Sequence, residues 1–186
     1  MSSRPPVDRS RIELFLRRLG ERFRHSGRLY LVGGTTMVFE GWRAQSLDVD
    51  LTFEVAPEDH TGMVQTIREL KEELALNVEQ VSPGDFIPLP NGYRERAVFI
   101  GRFGQLDVFH FDLYSTALSK IARGTEEDLS DVLALLRAGR IAMEQLEQSW
   151  NEIRPRVATE SLKQDVPEFD HAWATLHALW RQEPET

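Results

Sequence analysis

Between Tyr30 and Val55 the chain reads YLVGGTTMVFEGWRAQSLDVDLTFEV. An apolar run ends in Gly33-Gly34, and a short segment of helical spacing follows. Arg43 and Ser46 come next, and Asp48-Val49-Asp50-Leu51 opens a second apolar run. The order is strand, tight turn, short helix, strand. Side chains alternate along a strand, so Asp48 and Asp50 project from one face while Leu47, Val49 and Leu51 point to the other and can be buried. Two carboxylates side by side repel one another unless a cation lies between them. Mg2+ (or Mn2+) suits that place, because it takes one or two carboxylates and completes its shell with water and phosphate oxygens.

The diglycine lets the backbone turn tightly and come close to a ligand. The helix start behind it offers N–H groups that favour phosphate. Thr35 and Thr36 add hydroxyls there, and Arg43 and Ser46 lie where they can reach the same phosphates. A diglycine alone is a common turn, and D-x-D alone is a common surface pair. Their joint occurrence around a helix is far less common, and it points to a metal-bound nucleoside triphosphate (NTP).

Thirteen residues separate Gly34 from Asp48. That spacing, with apolar residues alternating around the acids, resembles the polymerase-β-type nucleotidyltransferase superfamily. The Arg43-x-x-Ser46 lead-in is similar to the bacterial branch that includes abortive-infection toxins of toxin–antitoxin systems. That branch carries a later lysine on a helix and an acidic pair on the next helix. Ser119-Lys120 through Asp128-Leu129-Ser130-Asp131 is similar to it. The resemblance covers roughly residues 28–136. It implies an α/β (α+β) fold, a small mixed β-sheet nucleotidyltransferase core with flanking helices and a helical C-terminal part. It also implies transfer of a nucleotide from an NTP to the end of a tRNA or other RNA, or to a protein side chain, and a cognate antitoxin as partner.

The superfamily places a third acidic residue on a neighbouring strand. Asp107, in Leu106-Asp107-Val108-Phe109-His110-Phe111, is the best match, because an unpaired charge central in an apolar strand is costly. Asp112 competes from the strand end, where a helix N-cap also explains it. By resemblance Lys120 neutralises the β and γ phosphates; a solvated helical lysine is the plain alternative. Asp128 belongs beside the site or, equally, to the capping box that Thr125 opens. His110, within an apolar strand, reads as a packed core histidine.

Helical periodicity predicts a first helix after Asp8, a helix after Pro57, and helices near 113–123, 126–138, 141–153 and 168–181. Val78–Val81 reads as a short strand, residues 82–91 as a Pro-rich loop, and 97–103 with 106–111 as a hairpin. Pro155 and Pro167 punctuate the helical half. Phe169, Trp173, His177 and Trp180 form a stripe that docks onto Leu146 and Trp150. The expected domains are 1–138, the nucleotidyltransferase-like part, and 139–186, a helical extension.

Composition sets the remaining bounds. The chain has no cysteine, so thiolate metal sites and cysteine nucleophiles are excluded. It has no apolar run long enough for a membrane span, and MSSRPPVDRSR lacks the apolar core of a signal peptide. The expectation is a cytoplasmic protein with no membrane partner. The net charge is -8, yet residues 1–30 hold eight arginines against three acids. That basic segment is a solvated helix face or a local patch for phosphate. Neither G-x-x-x-x-G-K-[ST] nor G-x-G-x-x-G is present, which removes the P-loop and dinucleotide-binding classes. The remaining alternative is a module of the same fold that binds nucleotide without catalysis, as a regulator or antitoxin-like partner.

Overall fold

The computed structural model describes residues 4–161 and 164–184. The chain divides into two compact units, Met1–Ser82 with Ala97–Phe111, and Pro83–Arg96 with Asp112–Thr186.

The first unit holds α1 (Arg9–Arg22), β1 (Gly27–Leu31), α2 (Gly33–Phe39), β2 (Val49–Val55), α3 (His60–Glu73), β3 (Val78–Gln80) and the hairpin β4 (Val98–Phe103) and β5 (Leu106–His110). The five strands form one mixed sheet in the order β3-β2-β1-β5-β4. β1 runs antiparallel to β2 and parallel to β5. β2 runs parallel to β3. Alternation along the strands sends Leu29, Leu31, Val49, Leu51 and Val108 into a core shared with Ile12, Phe15, Leu16 and Leu19 of α1 and Met63 and Leu70 of α3. The expected α/β class, mixed sheet and helical C-terminal part are all present.

Asp8 caps α1, its carboxylate accepting from the Arg11 N–H at 2.9 Å. The segment before α1 is also tied down. Val7 and Ser46 exchange backbone hydrogen bonds of 2.8 and 2.9 Å. Arg11 donates to the Leu74 and Ala75 carbonyls just past α3 at 2.6 and 3.2 Å. Arg4 donates to the Leu76 carbonyl and pairs with Glu72, and Arg22 pairs with Glu73. These arginines fasten the N-terminal segment to the end of α3, where the helix dipole favours cations.

The second unit holds α4 (Leu113–Arg123), α5 (Glu126–Arg137), α6 (Met143–Glu160) and α7 (Val166–Arg181), with the loop Pro83–Arg96. The sequence boundary at 138/139 followed where the motifs stop. The compact units follow contacts, and they group α4 and α5 with the later helices. Pro155 does not end a helix, contrary to the expectation; α6 continues through it to Glu160. Pro167 sits in the first turn of α7, where its missing N–H has no partner to lose. Two residues of the aromatic stripe, Phe169 and Trp173, pack on Trp150. Trp150 lies 4.3 Å from Phe169 and stacks on Trp173 at 4.4 Å and 7°. Among the described residues no helix is long and apolar enough to cross a membrane.

Candidate metal and phosphate site

Asp48, Asp50 and Glu79 each offer a carboxylate oxygen, and these oxygens lie within 4.8 Å of one another. The parallel pairing of β2 with β3 sets Asp50 beside Glu79. Val49 and Leu51, on the opposite face, are fully buried and hold the strand in register. Asp48 and Asp50 are half-buried and Glu79 is exposed.

The diglycine lies against this group. Gly33 has φ +54°, a conformation that suits glycine. A Cβ on Gly33 would meet Asp50 Oδ2 at 3.4 Å. A Cβ on Gly34 would meet Arg43 Nη1 at 2.9 Å and Ser46 Oγ at 3.1 Å. The turn is therefore the floor of a cradle with a carboxylate on one side and a guanidinium and a hydroxyl on the other. Local backbone bonds build it. Trp42 and Arg43 both donate to the Met37 carbonyl, at 2.9 and 3.2 Å, which turns the chain back against the last turn of α2. Ser46 is fixed by Val7, and Val32 N–H donates to the Asp50 carbonyl at 3.1 Å.

Thr35 and Thr36 do not present hydroxyls to this cradle. Both residues are fully buried. Thr35 Oγ1 accepts from the Asp50 N–H at 2.7 Å and lies 3.4 Å from the Asp48 carbonyl. It clamps the backbone between the two aspartates. Thr36 Oγ1 lies 3.1 Å from the Leu31 carbonyl and 3.0 Å from His110 Nδ1. In this arrangement both hydroxyls are engaged by the elements that carry the site.

Asp107 is not brought to Asp48 and Asp50. It pairs in register with Arg28, which faces Glu54, whereas Val32 bonds to Asp50 at the other end of β1. Four residues along a strand separate the two levels by about 13 Å. The premise of a buried, unpaired charge also fails. The Asp107 side chain is 40% exposed and sits 3.7 Å from Arg102. Glu79 is the third carboxylate that the geometry supplies. Sequence reading missed it, because a glutamate in a short strand is ordinary until the strand's neighbour and register are known. Asp112 is a cap: its carboxylate accepts from the Tyr114 and Ser115 N–H groups and forms a two-point pair with Arg96, both bonds at 2.9 Å. That pairing pushes the Arg96 pKa up.

Lys120 and Asp128 belong to the second unit. Lys120 is buried, and its Nζ donates to Asp131 at 2.6 Å and lies 3.6 Å from Asp128. Asp128 also pairs with Arg123 and accepts from the Thr125 hydroxyl at 2.8 Å, while Thr125 accepts the Asp128 N–H at 3.1 Å. Thr125 thus caps α5, and two cations and two carboxylates balance one another there.

Three carboxylates without a cation repel, and their all-oxygen donor set fits Mg2+ or Mn2+ rather than a soft metal. Among the described residues they are the one group of this kind. The Arg43 guanidinium beside the diglycine is a cation of the kind that binds phosphate. No curated protein and no solved structure matches this chain. A family model described as a nucleotidyltransferase of unknown function matches residues 12–181, almost the whole chain. With Gly33-Gly34 beside Asp48 and Asp50 as the motif would have them, the chain belongs to this nucleotidyltransferase family, DUF6036.

Proposed function

We propose that the protein transfers a nucleoside monophosphate from an NTP to an acceptor hydroxyl. The acceptor oxygen bonds to the α-phosphorus, the bond from that phosphorus to the β-bridging oxygen breaks, and pyrophosphate leaves. The hydroxyl proton passes to a cluster carboxylate or to water. The observation that carries this reading is the meeting of Asp48, Asp50 and Glu79 with the Gly33-Gly34 cradle. Asp48, Asp50 and Glu79 would hold a divalent ion, which supplies charge neutralisation at the phosphates and a more acidic acceptor hydroxyl. Arg43 and Ser46 orient the triphosphate over the diglycine, whose lack of side chains admits it.

The acceptor is an RNA end or a protein side chain, and a toxin role with an antitoxin partner follows the family resemblance. The test is incubation with each labelled NTP, Mg2+ or Mn2+, and total RNA, beside the Asp48→Ala/Asp50→Ala variant. Label entering RNA or the protein only with the intact pair supports transfer. A second reading, a nucleotide-binding module without catalysis, is favoured by the distance of Asp107 from the pair. NTP binding without transfer to any acceptor selects it.

A further inference from the structure

His110 lies at the end of β5, fully buried, and the nucleotidyltransferase reading gives it no role. Its ring meets α2 at three places. Nδ1 is 3.0 Å from Thr36 Oγ1. The ring packs edge-on against Phe39, with centroids 5.7 Å apart. Nε2 is 2.6 Å from Glu40 Oε1. Thr36, Phe39 and Glu40 fall at the i, i+3 and i+4 positions, so one histidine grips one face of the helix over a full turn. An ionised Glu40 accepts only, which makes Nε2 a donor. The Thr36 hydroxyl has one proton and two acceptors in reach, the Leu31 carbonyl and Nδ1.

We propose that His110 is a positioning residue for the triphosphate cradle. It acts through Thr36 and Glu40 to lock α2 against β5, while Thr35 locks α2 against β2 at Asp50. The two grips fix the diglycine between the carboxylates and the Arg43 guanidinium. A buried hydroxyl and a buried imidazole cannot reach substrate, so the Thr36-His110-Glu40 chain is not a nucleophilic triad. The inference rests on the nucleotidyltransferase reading for its ligand.

The test compares wild type with His110→Phe, Thr36→Val and Thr36→Ser. Mn2+ affinity is read by electron paramagnetic resonance, and affinity for each of the four common NTPs with Mg2+ by calorimetry. Amide hydrogen exchange is followed at Gly33 to Thr36. In His110→Phe and Thr36→Val, Mn2+ affinity should stay within about twofold, NTP affinity should fall about tenfold or more, and exchange near the diglycine should quicken. Thr36→Ser keeps the hydroxyl and should bind as wild type does. Wild-type NTP affinity in folded His110→Phe or Thr36→Val overturns the proposal. So does a proportional loss of Mn2+ and NTP affinity, which marks a merely structural role, and so does failure of Thr36→Ser to bind. A wild-type protein that binds none of the four NTPs overturns the nucleotidyltransferase reading and this inference with it. A wild type that binds, beside a His110→Phe protein that binds equally, removes the inference alone.

Discussion

Gly34 separates ligand binding from stability. Its backbone is helical without positive φ, so alanine there meets no backbone strain and favours the helix by up to about 1 kcal/mol. The added methyl, however, would stand 2.9 Å from Arg43 Nη1 and close the cradle. Gly34→Ala should melt at or slightly above the wild-type temperature and bind NTP about tenfold more weakly, measured by thermal scanning and calorimetry on the same samples. Gly33→Ala is the contrast. At φ +54° a Cβ costs roughly 1–2 kcal/mol, so this variant should melt lower. Asp50→Asn relieves repulsion among three carboxylates within 4.8 Å. Without metal it should melt about 1–3 °C above wild type; with Mn2+ the wild type should rise and the variant should not. The carboxylate pair and the diglycine were readable in the sequence because their chemistry is tied to local spacing. The directions of the Thr35 and Thr36 hydroxyls were not, because at the first turn of a helix either side of the chain is open until the neighbouring strands are placed.

Elements explain the other misreadings. Asp107 and Glu79 are both acids in strands, but the sequence weighs Asp107 only against Asp112, and nothing local singles out Glu79. Strand order does so. β3 lies directly beside β2 and delivers Glu79 to Asp50, whereas β5 joins through β1 in a register that leaves Asp107 beside Arg28. Register is a long-range property, so no local pattern carries it. Pro155 misled for a related reason. An interior proline usually breaks a helix, but burial of Trp150, Ile153 and Val157 on both sides of it holds α6 together. The proline still removes one helical hydrogen bond. Pro155→Ala should therefore raise stability by about 1 kcal/mol or more, seen as a higher denaturant midpoint with an unchanged slope.

Across the whole molecule, charge is arranged for the fold before it is offered to a ligand. The net charge is -8, and the basic N-terminal segment is largely engaged. Arg4, Arg11 and Arg22 bind carbonyls or carboxylates around the end of α3, and Arg9 and Arg18 pair along their own helix. In the helical unit, ion pairs join α7 to its neighbours. The Arg154 guanidinium holds Asp170 below its ordinary pKa, and Arg137 does the same for Glu183. A carboxylate whose folded pKa is lowered contributes stability above its unfolded value, and that contribution is lost as pH falls through the folded value. Both pairs are largely solvent-exposed, so each effect is small. The loss should nevertheless concentrate on α7. Hydrogen exchange between pH 6 and 3 should show α7 amides losing protection before those of α1, as the pH drops below the ordinary carboxylate range. Asp170→Asn should remove part of that acid sensitivity, with α7 already less protected at pH 6. Equal loss of protection in α1 and α7 would instead mean that the carboxylates of the two units titrate as one, and that the pairs holding α7 contribute nothing of their own.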